Sequence, residues 1–326
     1  MQAERRAYVP VLHSVSYAGA WPGHSRLAVD AFLLKAVELG FEQVVLVAKQ
    51  PHVSPLEYDQ ASRSALKARI RELGLEVVAL MGYTDFTAGL ERPGIPSAEM
   101  NAAYVGSLAK LARDLEIERV RIFTGYQRPG IPYDTQYGEL VKGLRMASRE
   151  SARHGVMLLL QNHHDLACHH EQLAWLLEEV NEPNLRAAFD AWAPHLQGIS
   201  GEELMTAVKR LGPWIAFTTV ADYVAQPRFR YDPERVNYVP EPPALVRAVA
   251  PGTGQVDYRS FFQGLKAIDY RGPVAYEMCA VLKGGGSLEN LDRTARSFRK
   301  FLTAMEDAPL MDGAVSSASH KSTERV

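Results

Sequence analysis

Residues 158–165 read LLLQNHHD, Leu158 to Asp165, and the organisation of the chain follows from this stretch. An apolar run, Met157 to Leu160, ends in an amide and two imidazoles. A short run with no polar alternation predicts a strand covered on both faces, as in a parallel sheet. In parallel α/β folds ligands bind at the carboxyl ends of the strands, where this polar cluster falls. Strand side chains alternate, so Gln161 and His163 are expected on one face and Asn162 and His164 on the other. One pair can then face a site while the other braces it.

The same unit recurs outward in both directions: a β-branched run, a polar loop, an amphipathic helix, and often a Gly. Eight runs read as strands: Val9–His13, Gln43–Ala48, Val77–Met81, Val120–Phe123, Val156–Leu160, Ala187–Phe189, Ile215–Val220 and Val274–Tyr276. Between them apolar residues recur at helical spacing, as in Leu66, Ile70, Leu73 and in Leu204, Val208, Leu211. Gly40, Gly74, Gly155, Gly212 and Gly272 stand between a helix and the next strand, where a left-handed C-cap favours Gly. Ser200 with Glu203 reads as a capping box. Eight alternating units predict an α/β fold closed into a (β/α)8 TIM barrel over residues 1–305. The competing open, doubly wound sheet lacks a G-x-G-x-x-G after the first strand. Residues 306–326, small and polar, read as a disordered tail. The Pro-rich insert at 225–255 is long for its place, and long loops at that end of a barrel cover or shape the site.

Composition excludes several classes of partner. The chain has 326 residues, a formal net charge of −2 and a pI near 6.6. With no basic block, neither nucleic acid nor an anionic membrane is an expected main partner. No run approaches the roughly 18 apolar residues of a membrane span, and the first residues lack a signal's apolar core. Two cysteines, Cys168 and Cys279, fit a reducing, cytoplasmic setting and no zinc-finger spacing.

The strand ends carry the candidate site residues. They are His13; His52; Tyr83 and Asp85; Tyr126; Gln161, Asn162 and His163; Asp190 and Trp192; Thr219 and Asp222; and Glu277. Singly, each is a loop beginning. Together they would line one mouth, with His13, His52, Asp85, Asn162, Thr219 and Asp222 as hydroxyl-binding candidates and Tyr83, Tyr126 and Trp192 as stacking surfaces. Asp190 (AAFD) and Glu277 (VAYE) follow apolar runs directly and are expected to point inward. Two inward carboxylates repel unless a cation lies between them, and hard oxygen donors with at most one imidazole favour Mn or Mg.

LLLQNHHD, AAFDAW and PGTGQVDYRSFFQGLKAIDYRGPVAYEMC resemble the sugar phosphate isomerase/epimerase superfamily with the xylose isomerase-like TIM barrel, the fold it shares with endonuclease IV-type AP endonucleases. The resemblance covers nearly the whole chain to the tail. In its epimerase branch a divalent metal is held by Glu, Asp, His and Glu from the fifth to eighth strands, and the two Glu residues act as acid and base. Position by position, Asp190 and Glu277 match. Gln161 stands where Glu is usual, Thr219 where His is usual, and Ala193 where a second His is common, with His195 nearby. The resemblance thus implies Mn, Mg, Co or Zn at Asp190 and Glu277, with Gln161 and His163 completing the sphere, and Glu277 or His163 as the base. Gln161 cannot accept a proton, so a one-base reaction remains. The implied activity is isomerisation or epimerisation of a sugar, polyol or keto acid by proton abstraction beside a carbonyl. The alternatives are a lyase or dehydratase on a keto sugar or keto acid, and a non-catalytic sugar-binding barrel. AP endonuclease activity is disfavoured by the pI and by the missing His and Asp ligands. Barrels of this type often form homo-oligomers.

Overall fold

The computed structural model describes residues 7–92 and 94–310. Strands β1 (Tyr8–His13), β2 (Gln43–Val47), β3 (Glu76–Met81), β4 (Arg119–Ile122), β5 (Met157–Gln161), β6 (Leu185–Ala188), β7 (Ile215–Val220) and β12 (Gly272–Tyr276) close into a parallel barrel in the order β1-β12-β7-β6-β5-β4-β3-β2. The (β/α)8 TIM barrel is therefore the fold, and the eight expected strands agree within a few residues. Helices α1 (Val29–Glu38), α2 (Gln60–Glu72), α3 (Ser97–Asp114), α4 (Tyr133–Ala152), α5 (His170–Val180), α6 (Trp192–Leu196), α7 (Gly201–Leu211), α8 (Tyr258–Ala267) and α9 (Leu288–Asp307) surround it. None among the described residues is long and apolar enough to cross a membrane.

Alternation along the strands makes two cores. Val11, Val45, Ala79, Leu159, Phe217 and Ala275 fill the barrel interior, while Leu12, Val44, Leu80, Leu158, Val220 and Val274 pack outward against the helices. This double burial is why the strands read as unbroken apolar runs. The register sets the geometry of the mouth. Leu12 pairs with Tyr276, so His13 and Glu277 emerge side by side. Gln161 pairs with Ala188, which brings the end of β5 beside Asp190.

The punctuation is met in part. Gly40, Gly74 and Gly155 take left-handed φ of 76°, 65° and 68°. Gly212, with φ −44°, remains helical, and Gly272 takes no positive φ because Asp269 (φ 51°) makes that turn instead. The capping box at Ser200 does not form. Its side chain makes no capping bond, and the Asp257 carboxylate, from the N-cap of α8, accepts the Gly201 N–H at 2.8 Å.

The insert after β7 is ordered as two antiparallel pairs, β8 (Asp222–Gln226) with β11 (Leu245–Val249) and β9 (Phe229–Asp232) with β10 (Asn237–Pro240). Its Pro-rich composition hid strands of four and five residues. Helix α9 runs to Asp307, slightly into the stretch read as tail; residues 311–326, with His320, lie outside the described residues.

Candidate active site

A cavity of about 240 Å³ opens at the carboxyl ends of the barrel strands, lined by Gln161, His163, Asp190, Trp192, Thr219 and Glu277 together with Ala221, Tyr223, Val246, Tyr258, Cys279 and Ala280. Six of the thirteen candidate positions thus share one cavity. Its size suits a small ligand, since drug-sized sites span roughly 300–1,000 Å³. Val246 comes from β11, so the insert does shape the site.

Asp190 is buried and its carboxylate is occupied. Gln161 Nε2 donates to Oδ2 at 2.9 Å and the Trp192 N–H to Oδ1 at 3.0 Å. Asn162 clamps the same residue from behind, donating to its carbonyl at 3.0 Å and accepting its N–H at 2.9 Å. Asn162 therefore braces the site and has no free amide for a substrate hydroxyl. Burial, with the nearby Glu277 charge adding to it, pushes the Asp190 carboxyl above its ordinary value, against the Gln161 bond and the His163 ring.

Glu277 shifts the other way. Burial alone would raise it, but His13, Arg121 and His163 outweigh burial and hold its carboxyl below the ordinary value. His13 Nε2 lies 3.4 Å from Glu277 Oε1. The Val15 N–H donates to His13 Nδ1 at 3.0 Å, so the neutral ring carries its proton on Nε2, toward the carboxylate. His13 is fully buried and reaches no substrate. In the structure it stands against Glu277 in place of lining the cavity.

His163 reaches the cavity although the chain has left strand geometry, β5 ending at Gln161 and His164 turning to φ 69°. The His164 N–H donates to His163 Nδ1 at 2.7 Å, leaving the ring proton on Nε2. In that form His163 offers an N–H, not a lone pair. It suits a proton donor better than a base or a metal ligand. His164 packs away from the cavity, stacked on Tyr126 at 4.3 Å and against Phe123.

The remaining candidates serve the frame. His52 bonds Ser14 Oγ and the Leu27 carbonyl, at 2.9 and 3.1 Å, with both ring nitrogens. Asp85 accepts from the N–H groups of Thr87 and Tyr126 and from Thr87 Oγ1, and pairs with Arg128. Asp222 collects the N–H groups of Tyr223, Gly252, Gly254 and Val256. The side chains of these three strand-end residues are engaged by the loops beside them. Tyr126, 48 % exposed, covers His164, and Tyr83 packs between Lys49 and Arg121; neither lines the cavity.

Several residues were not singled out from the sequence. Cys279, two positions beyond Glu277, lines the cavity, and burial with the Glu277 charge holds its thiol protonated. Arg121, inside the barrel and 1 % exposed, sits in RVRI, where the parity shared with Phe123 was the available signal.

The donors do not fit a divalent cation. Among the described residues no three His, Cys, Asp or Glu side chains group as a metal site. Both Asp190 oxygens already accept N–H bonds, Gln161 turns its N–H toward them, and His163 Nδ1 is taken.

The xylose isomerase-like TIM barrel family profile matches residues 33–303. Over 179 residues the chain is 25 % identical to the hydroxypyruvate isomerase of Escherichia coli (strain K12), a match spanning 53 % of this chain and 60 % of that protein. Two similar solved structures are a xylose isomerase domain protein from Planctomyces limnophilus and a D-allulose 3-epimerase from Methylomonas sp. The first has a TM-score of 0.65 at 18 % identity, covering 93 % of this chain and 98 % of the other. The second has a TM-score of 0.69 at 17 % identity, covering 92 % and 99 %. At such identities these two likenesses speak to the fold alone.

Proposed function

Because the chain belongs to the xylose isomerase-like TIM barrel family, we propose that it is an isomerase that moves a proton between neighbouring carbons of a small hydroxycarbonyl compound, a sugar or a keto acid of the hydroxypyruvate type. One observation carries this reading. Glu277, held ionised, and His163, presenting an N–H, line the same cavity. An ionised carboxylate and a neutral imidazole presenting its N–H divide the work of base and acid. Asp190, its carboxyl raised by burial, lies beside them in the same cavity.

Glu277 removes the proton from the carbon that bears the hydroxyl, and the electron pair moves onto the neighbouring carbonyl oxygen. That oxygen takes a proton from His163 Nε2, giving an enediol. The other hydroxyl then gives its proton to His163 Nε2, restoring the ring N–H, and as that oxygen becomes the new carbonyl Glu277 returns its proton to the former carbonyl carbon. The sequence needs one base working on one face, which Gln161 in place of a second carboxylate allows. A divalent metal, the cofactor implied by the family, has no fitting donor set here and no step is drawn through it. Trp192, whose ring lies 3.9 Å from that of Tyr223, closes the apolar side of the cavity.

The test is incubation with hydroxypyruvate and with ketoses in heavy water, read by proton NMR. An isomer carrying solvent deuterium at carbon supports the reading. A product that has lost water or an aglycone would reassign the chain as a lyase, and ligand binding without any turnover would make it a sugar-binding barrel.

A further inference from the structure

We propose that the buried guanidinium of Arg121 is the resident counter-charge of this site, taking the electrostatic place that a divalent cation fills in a metal-dependent barrel. The inference rests on the reading of Asp190 and Glu277 as the working carboxylates. It extends that reading to what keeps them side by side.

Arg121 projects inward from β4. In the closed order of eight strands β4 stands four places from β12, so Arg121 faces Glu277 across the barrel. Its guanidinium lies 3.9 Å over the Phe123 ring and 5.1 Å from the Tyr83 ring. Nη1 donates to the Gly82 carbonyl at 3.1 Å, while the buried Nε has no partner. A cation shut inside a barrel is costly unless opposite charge lies close. Arg121 forms no ion pair among those found between described residues; the carboxylate that answers its charge is Glu277, across the barrel, which it helps to hold below its ordinary value. A second cation shares the same aromatic ring: Lys49 Nζ sits 3.9 Å over Tyr83.

The charge inventory closes on these groups. The ligand set implied by the family resemblance contains three carboxylates. Here Gln161 removes one, leaving Asp190 and Glu277 against Arg121 and Lys49. Positive charge from Arg121 and Lys49 set against two carboxylates in place of three weakens the pull on a metal. Thr219 and the occupied Nδ1 of His163 leave no imidazole lone pair for it. A guanidinium is permanently charged and weakly hydrated, which suits it to a buried place where an ammonium would lose its proton.

Manganese binding, followed by electron paramagnetic resonance on protein purified without chelator, tests this independently of turnover. The unaltered chain should leave Mn²⁺ free up to about 1 mM. Arg121→Met, which uncovers the carboxylates, and Gln161→Glu, which adds a third without changing shape, should each bind Mn²⁺ at least about tenfold more tightly than the unaltered chain. Because Gln161→Glu is isosteric, it keeps the test decisive if Arg121→Met fails to fold. Stoichiometric Mn²⁺ on the unaltered chain, lost in Asp190→Asn, would overturn the proposal. So would Arg121→Met and Gln161→Glu proteins that fold and bind no better than the parent. Failure of the heavy-water experiment with these metal results intact would remove the isomerase reading and leave the counter-charge standing.

Discussion

His13 holds its Nε2 3.4 Å from Glu277 Oε1, and the backbone N–H of Val15 fixes which nitrogen carries the proton. The β1–β12 register creates this pair, and no solvent reaches His13. His13→Phe keeps the volume and deletes the N–H. The contact is a close approach of the ring N–H to the carboxylate and not a full hydrogen bond, so turnover should fall about tenfold, roughly 1.4 kcal/mol, with KM little changed. The acid limb of the pH profile should also move upward, because Glu277 loses the neighbour that does most to hold its carboxyl down. An unmoved profile would make His13 a packing residue only.

Asp222 gathers four backbone N–H groups, those of Gly252 and Gly254 at 2.8 Å among them, and so ties the 252–256 loop to the top of β7. Asp222→Asn should cost about 2 kcal/mol, read as a lowered unfolding midpoint and faster amide exchange at 252–256. Gly254→Ala should act alike, since a Cβ there would stand 2.1 Å from Asp222 Oδ1.

His52 contributes to the pH dependence of stability, alongside His13 and His164, which burial also lowers to about 4. Burial lowers His52 from 6.5 to about 4, so the unfolded chain takes up a proton at higher pH than the folded one. Its contribution is fully present above pH 6.5 and is lost as pH falls toward 4. A shift of that size is worth about 3 kcal/mol. Urea midpoints measured across this window should drop, and drop less steeply in His52→Gln.

Much of this molecule is legible in its sequence because each strand is buried on both faces and each break carries turn residues. Asp190 and Glu277 could be placed because each directly follows an apolar run and so keeps strand alternation. His52, Asp85 and Asp222 could not. Whether a polar side chain at a strand end faces the ligand or caps its own loop depends on backbone N–H groups set by three-dimensional turns. Arg121 was passed over because a charged residue within an apolar strand looks like an edge position, whereas here it is buried on the inner face. His163 reached the expected side for an unexpected reason, a bend after Gln161 in place of another strand residue.

Asp190→Asn keeps the shape of the side chain and removes its charge. The amide oxygen can keep the Gln161 Nε2 bond, 2.9 Å here, while the Trp192 N–H then faces an NH2, so the protein should fold with its stability lowered by about 1–3 kcal/mol. Turnover should fall at least about tenfold, since the amide cannot pass on a proton. Circular dichroism and steady-state rates separate the two effects.

The central claim is that Glu277 moves a proton at carbon. The most direct measurement compares solvent-deuterium incorporation at carbon by the unaltered protein and by Glu277→Gln, with hydroxypyruvate or a ketose in heavy water. The prediction is exchange in the first and a loss of roughly 10²- to 10⁴-fold in the second, with both proteins folded. Exchange at an undiminished rate in Glu277→Gln would contradict the account.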